Sequence, residues 1–152
     1  MIRVDLYGGF GEKGRTSVGI AGGGKRILLD VGIKVGASGK DYYPAIGDAA
    51  IGQLDAVFVS HAHEDHIGGL VWLLAHGFRG RIFMTAETLA EAPGMLEQYG
   101  ESEHLRAHAI AADSVSLFAP GDEIDLGGLK VGTGRSGHVA GGVWFAAGDG
   151  RR

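Results

Sequence analysis

The chain has 152 residues, of which 45% are hydrophobic and 21% charged, a composition that predicts one globular domain with a hydrophobic core. Because it contains no cysteine, disulfides and thiolate zinc sites are excluded from these residues. The formal net charge of −4 argues against a strongly basic, nucleic-acid-binding surface, although a local basic patch remains compatible with it.

The first thirty residues have the pattern of three strands separated by glycine-rich turns. Alternating apolar residues predict a strand at residues 2–6, and residues 16–21 and 26–30 predict a hairpin around the turn at residues 22–25. The glycine-rich loop at residues 8–15 lacks the Gly-Lys-Ser/Thr ending of a phosphate-binding P-loop, so it is interpreted as a turn.

Two features of the chain bear on its location. Residues 1–7 lack the apolar core of a signal peptide, and no apolar run approaches the roughly 20 residues of a membrane span. We therefore expect a soluble cytoplasmic protein that does not bind membranes.

The most informative stretch is Ser-His-Ala-His-Glu-Asp-His-Ile-Gly-Gly-Leu, residues 60–70. The apolar, β-branched run at residues 55–59 predicts a buried strand before it, and residues 70–76 predict a buried helix after it. Three histidines and an aspartate therefore lie on the loop that leaves the carboxyl end of a strand. Open α/β sheets place their ligand sites at this edge.

These side chains suit divalent metal ions. His61 and His63 alternate, so in an extended loop their rings point the same way and can share one ion. Asp65 and His66 follow a tight turn and can reach a second ion nearby. Imidazole with carboxylate suits zinc or another borderline divalent ion, and two ions about 3.5–4 Å apart can hold a hydroxide between them.

Beyond this stretch the pattern predicts alternating strands and helices. A short helix is expected within residues 44–51, a strand at residues 81–84 and a helix over residues 85–99. Thr88 and Glu91 are spaced as a capping box, and the Pro-Gly pair at residues 93–94 is expected to break the helix or to start a second turn of helix.

Three further histidines are interpreted as surface residues. His104 and His108 are four apart and would share one face of a helix, but no third ligand accompanies them. His76 follows the buried helix and is interpreted as a helix-end residue that faces the dipole.

The last forty residues have the pattern of short antiparallel strands, and His138 lies among small residues between two of them. A histidine in that setting can approach a metal closely. Residues 143–147 predict a strand, and Asp149 in the following Gly-Asp-Gly is interpreted as a turn residue and not as a metal ligand.

His-x-His-x-Asp-His after an apolar strand, then Gly-Gly, resembles the metal-binding motif of the metallo-β-lactamase superfamily. The opening Gly-Gly-x-Gly-Glu-x-Gly-Arg, the hairpin and Leu-Leu-Asp-Val-Gly are similar to the start of its RNA- and DNA-processing branch, the β-CASP nucleases. Ser-Gly-His-Val-x-Gly-x-x-x-Phe at residues 136–145 resembles the third metal motif of that branch.

The resemblance implies an α/β fold that corresponds to the first half of the metallo-β-lactamase αββα sandwich, a mixed sheet with helices on one face. Residues 1–152 are then expected to form one partial, truncated domain. The metal-bridging aspartate, a second sheet, the last histidine and the inserted β-CASP domain would lie beyond residue 152. One face of the first sheet would consequently be exposed, unless a second chain completes the sandwich.

The resemblance also implies the roles of the site residues. His61, His63 and His138 would bind the first metal, and Asp65 and His66 the second, with Asp65 also catalytic because it orients a hydroxide. Asp30 would support the metal loop without binding a metal. One or two zinc ions are expected, with manganese as the alternative.

The implied function is a metal-dependent hydrolase that uses a metal-bound hydroxide on a phosphodiester of RNA or DNA, in short a nuclease. Two alternatives stay open. One is a metallo-hydrolase of a thioester, a lactone or a small phosphoester. The other is a non-catalytic fragment that binds a metal or a partner chain without turnover.

Overall fold

A mixed six-stranded sheet forms the centre of the molecule, which we describe from a computed structural model over residues 1–108, 110 and 112–150. The first three strands pair antiparallel and follow one another without an intervening helix, whereas the third to sixth strands pair in parallel because helical connections separate them. In sheet order the strands are β1 (Arg3–Gly8), β2 (Ser17–Gly22), β3 (Lys25–Leu29), β4 (Ala56–Phe58), β5 (Arg81–Met84) and β6 (Val115–Leu117).

Helices cover one face of this sheet. Leu28, Val57 and Met84 point from alternate strand positions towards buried helix residues such as Leu70 and Leu73. None of the helices in the described residues has the length and apolarity needed to cross a membrane. The helices are α1 (Asp48–Ile51), α2 (Glu64–Ile67), α3 (Leu70–Ala75), α4 (Ala86–Tyr99) and α5 (Ser102–Ala107), with short 3-10 turns at Gly39–Asp41 and Ala112–Ser114.

A second, three-stranded sheet covers the opposite face. Its antiparallel strands are β7 (Glu123–Asp125), β8 (Lys130–Arg135) and β9 (Val143–Gly148). Phe58 and Phe83 stack with ring centroids 4.5 Å apart, and Phe145 of β9 meets Phe58 edge-on at 5.7 Å. These rings belong to a second hydrophobic core, separate from the one beneath the helices.

The predicted mixed sheet with helices on one face is confirmed. The expectation that its other face would be exposed for want of a second sheet is wrong. The short strands predicted near the end of the chain form that sheet themselves, and Leu129 and Val131 are completely buried in the shared core. The layers are therefore helices, six strands and three strands.

Helix α4 differs from its prediction at two points. Its N-cap is Thr85, whose Oγ1 accepts a hydrogen bond from Thr88 N (3.3 Å), so the capping box predicted at Thr88 is wrong. Pro93 lies inside the helix and does not end it. Ala92 and Leu96 on either side are buried, and burial of this apolar face holds the helix together despite one missing N–H donor.

Candidate metal centre

The histidine-rich loop that follows β4 is extended and then turns into a short helix. His63 is the N-cap of α2, with φ −70° and ψ 149°, so Asp65 and His66 fall in the first turn of that helix. The segment after β3 and the residue directly before β2 hold the loop through backbone hydrogen bonds. The hydrogen bonds are Val31 N to His66 O (2.9 Å), Ile33 N to Glu64 O (3.0 Å) and Thr16 N to Asp65 O (2.9 Å).

The structure brings His61, His63 and His138 together. One ring nitrogen from each lies within 4.8 Å of the others, and His138 Nε2 is 3.3 Å from His63 Nδ1. His61 is buried, His63 is partly buried and His138 is exposed, so the group opens from the core to the surface.

The group fits a metal ion. Nε2 of His61 is buried and has no hydrogen-bond partner among the residues that the structure describes. A buried polar atom normally has a partner, and a cation at the centre of the group would provide one. Three imidazole nitrogens with an open fourth position form the donor set of a catalytic zinc site.

His138 is supplied by the loop between β8 and β9, residues 136–142. Its backbone N–H donates to Ser136 Oγ (3.3 Å), and Ser136 N donates to Gly142 O (3.0 Å). Two hydrogen bonds connect the end of this loop to the segments that follow β4 and β5. Val143 N donates to Ser60 O (3.0 Å), and Thr85 Oγ1 donates to Gly141 O (2.9 Å).

Asp65 and His66 lie beside this group but do not gather a third ligand. Asp65 Oδ2 is 3.7 Å from His66 Nε2, and the His61 and His66 ring centroids are 4.1 Å apart. Within the described ranges, the group of three histidines is the one cluster of potential ligands found. A second ion would therefore have two protein ligands from the described part of the chain.

The other candidate residues form separate contacts. His76 Nδ1 is 2.8 Å from Asp48 Oδ1, and His104 Nδ1 is 3.1 Å from Glu101 Oε2. Asp149 forms an ion pair with the Met1 amino group (2.9 Å). None of these residues belongs to the histidine group.

Asp30 supports the loop, and Ser60 does so too. The Asp30 carboxylate accepts hydrogen bonds from Ser60 N (2.7 Å), Ser60 Oγ (2.8 Å) and His66 Nδ1 (2.8 Å). Ser60 Oγ also lies 2.9 Å from His61 Nδ1. The sequence pattern does not reveal this role of Ser60, because its partner Asp30 is thirty residues away; the position of Ser60 immediately before His61 is the available signal.

The pKa values of His61 and His66 are shifted in opposite directions. Burial lowers the pKa of His61 to about 4, and the neighbouring histidines add to this effect, so its imidazole is neutral at neutral pH. Burial opposes the charged form of His66 as well, but its hydrogen bond to Asp30 and the carboxylates of Asp30, Asp65 and Glu64 outweigh it and raise the pKa. A neutral imidazole is the form that binds a metal.

A cavity of about 440 Å³ adjoins the histidines. His61, His66 and His138 line one side of it, and Val18 and Phe145 line the apolar side. A ligand in this cavity would therefore contact the nitrogen atoms from a partly dry environment.

A protein family and several individual proteins are similar in sequence to this chain. Residues 11–151 match the family described as the Metallo-beta-lactamase superfamily. The chain is 31% identical, over 95% of its length, to "Cleavage and polyadenylation specificity factor 73" from Drosophila melanogaster. It is 29% identical, over 99% of its length, to "Ribonuclease TTHA0252" from Thermus thermophilus. It spans 23% and 36% of the lengths of these two relatives.

Solved structures show the same fold. The "Rm3 metallo-beta-lactamase" superposes with a TM-score of 0.62 at 18% identity, covering 98% of this chain and 55% of that chain. The subclass B3 enzyme MEM-A1, from a soil metagenome library, superposes with a TM-score of 0.59 at 20% identity, covering 89% of this chain and 55% of that chain. At these identities the likeness extends to the fold alone.

Proposed function

This chain belongs to the metallo-beta-lactamase superfamily, and from that membership we propose that it carries the metal centre of a hydrolase that cleaves a phosphodiester bond in RNA or DNA. The observation that carries the proposal is the convergence of His61, His63 and His138 around a buried nitrogen atom that has no protein partner in the described residues. Relatives named as a ribonuclease and an endoribonuclease favour RNA as the first substrate to test.

The three histidines would hold the first ion, and Asp65 and His66 would contribute to a second. We propose zinc as the ion, with manganese as the alternative, because imidazole and carboxylate suit both. When bound, such an ion supplies a hydroxide near neutral pH and positive charge next to the phosphoryl oxygen. That charge matters for a polyanionic substrate, since the chain itself has a formal net charge of −4.

The residues of the chain have tasks of their own in this proposal. Asp65 orients the attacking water and accepts its proton at the carboxylate. Asp30 holds His66 in place through the 2.8 Å contact to Nδ1. The other ring nitrogen of His66, Nε2, is then available to bind an ion. Val18 and Phe145 give the cavity an apolar wall beside the reacting groups.

The first test measures metal content and cleavage together. Protein purified without chelator is subjected to elemental analysis and incubated with an end-labelled single-stranded RNA. We expect at least one ion per chain and cleavage that chelator abolishes. His63→Ala should lose the ion and the cleavage, whereas the control His108→Ala should keep both, because His108 lies outside the histidine group. A folded chain without metal would contradict the proposal.

A second candidate function is metal binding without turnover. It is favoured by one observation, the absence of a third ligand beside Asp65 and His66 in the described part of the chain. One ion per chain with no cleavage of RNA or DNA would support this candidate. Adding a thioester, a lactone and a small phosphoester to the same assay separates it from hydrolysis of a different ester.

A further inference from the structure

The hydroxyl group of Ser60 lies between a carboxylate and an imidazole. Ser60 Oγ is 2.8 Å from Asp30 Oδ2 and 2.9 Å from His61 Nδ1. Ser60 is 8% exposed, Asp30 6% and His61 7%, so water has little access to compete for these contacts. Both contacts are therefore hydrogen bonds between protein groups, and the positions of their protons follow from counting donors.

The single hydroxyl proton of Ser60 goes to Asp30. An ionised carboxylate has no proton to offer, so the 2.8 Å contact exists only if Ser60 donates it. The hydroxyl oxygen can then only accept from His61, and the proton of that 2.9 Å hydrogen bond must reside on His61 Nδ1. In a neutral imidazole one nitrogen is the donor and the other is the acceptor, so His61 Nε2 carries the free electron pair.

The other nitrogen of His61 agrees with this assignment. Nε2 is buried and has no hydrogen-bond partner in the part of the chain that the structure describes. If the proton were on Nε2, a buried N–H donor would be unpaired and the contact between Ser60 Oγ and Nδ1 would have no proton left for it. The tautomer with the proton on Nδ1 avoids both penalties.

We infer that Ser60 is a positioning residue that, through Asp30, holds His61 in the Nδ1–H tautomer and so keeps Nε2 ready to bind a cation. The inference rests on the metal centre proposed above. The same carboxylate accepts from His66 Nδ1 directly (2.8 Å). The Asp30 carboxylate thus fixes the proton on Nδ1 of two imidazoles. It acts on His66 by direct contact and on His61 through the Ser60 hydroxyl group.

The direct test reads the tautomer in metal-free protein. Long-range proton–nitrogen correlation spectra of ¹⁵N-labelled protein at neutral pH distinguish a protonated from an unprotonated ring nitrogen. In the unmodified chain we expect His61 with a protonated Nδ1 and an unprotonated Nε2. A protonated Nε2 in that spectrum would overturn the inference whatever the variants do.

Two substitutions at Ser60 then separate the hydroxyl group from its packing. Ser60→Ala removes the acceptor and should shift His61 towards a mixture of tautomers, whereas Ser60→Thr keeps the hydroxyl group and should keep the Nδ1–H signature. The control is Ser17→Ala. Ser17 is likewise buried, but its hydroxyl has no hydrogen-bond partner among the described residues, so the His61 signature should not change.

Zinc affinity provides an independent readout, measured by competition of Zn²⁺ with a chromophoric chelator. We expect Ser60→Ala to bind zinc about 10-fold or more weakly, the usual effect of losing a group that orients a metal-binding histidine, and Ser60→Thr to restore it. Unchanged affinity and tautomer in a folded Ser60→Ala variant would overturn the inference while leaving the metal centre intact. Failure of the unmodified chain to bind zinc would instead refute the metal centre, and the metal-free spectrum would still decide the tautomer.

Discussion

At the scale of single residues, the backbone of Asp30 is strained in the conformation that places its carboxylate beneath the histidine-rich loop. Asp30 has φ 60°, a left-handed conformation that costs a non-glycine residue about 1–3 kcal/mol unless its surroundings impose it. Here Asp30 N donates to Phe58 O (2.8 Å), and three hydrogen bonds converge on the side chain. The strain therefore lies where the metal loop needs a rigid support.

Gly32, two residues further on, has no room for a side chain. A Cβ added there would overlap the carbonyl oxygen of Asp65, which also accepts a hydrogen bond from Thr16 N (2.9 Å). We expect Gly32→Ala to lower the free energy of unfolding by about 2 kcal/mol or more and to weaken zinc binding, because the loop must move away.

Urea denaturation and chelator competition measure the two effects of Gly32→Ala. The control is Gly94→Ala in α4, where an added Cβ meets no atom within 4 Å and alanine favours the helix. Equal stability of Gly32→Ala and the unmodified chain would mean that the two segments are not in close contact.

Glu12 provides a prediction on pH. Hydrogen bonds from Arg15 Nε and Lys34 Nζ, both 2.7 Å, lower the pKa of Glu12 from 4.5 to about 2. A carboxylate whose folded-state pKa is lowered stabilises the protein above its unfolded-state pKa, and this contribution disappears as the pH falls from about 4.5 to about 2. Glu12→Gln should therefore be less stable than the unmodified chain at pH 7, with the difference vanishing near pH 2. An equal difference at both pH values, measured by urea denaturation, would contradict this assignment.

At the scale of elements, periodicity predicted the strands and the bounds of the longer helices to within one or two residues, but it misplaced one helix cap and missed one short helix. Strand β5 has the predicted bounds, because four apolar-rich residues between polar turns leave little choice. The cap of α4 was misplaced by three residues, since both Thr85 and Thr88 can cap a helix and only the packing of the preceding strand decides between them. The four-residue helix α2 was not predicted, because hydrophobic periodicity needs more than one turn to be visible.

Thr85 links helix α4 to the loop that supplies His138. Its Oγ1 accepts from Thr88 N (3.3 Å) and donates to Gly141 O (2.9 Å). Thr85→Val keeps the shape but removes these hydrogen bonds and the 3.0 Å contact with Thr88 Oγ1, so we expect a loss of about 1–2 kcal/mol of stability and weaker zinc binding.

Thr85→Ser retains the hydroxyl group and is the matched control. Denaturation and chelator competition should give values for it close to those of the unmodified chain. If Thr85→Val lost stability but kept its zinc affinity, Thr85 would act on the helix alone and would not position the loop.

At the scale of the whole molecule, the histidine group joins the two sheets. His61 and His63 lie on the loop after β4 of the first sheet, and His138 lies between β8 and β9 of the second. The resemblance of the sequence motifs indicated these three histidines as candidate ligands of one ion. The packing of the two sheets could not be predicted in the same way, because Phe58, Phe83 and Phe145 meet only once the registers of both sheets are known.

Because the ligands come from both sheets, zinc should act as a cross-link between them. A ligand that binds only the folded state stabilises it by about 2.7 kcal/mol at a free concentration of 100 times its dissociation constant. We therefore expect zinc to raise the free energy of unfolding of the unmodified chain by about that amount under those conditions.

His138→Ala tests the cross-link. His138 is exposed, so its removal should change the stability of the metal-free protein by less than about 0.5 kcal/mol. The increment from zinc should nevertheless be lost, because the second sheet then contributes no nitrogen ligand to the group. His108→Ala, outside the group, should keep the increment in the same urea denaturation experiments. Equal stabilisation of His138→Ala and the unmodified chain by zinc would show that the ion binds to the first sheet alone and does not cross-link the two sheets.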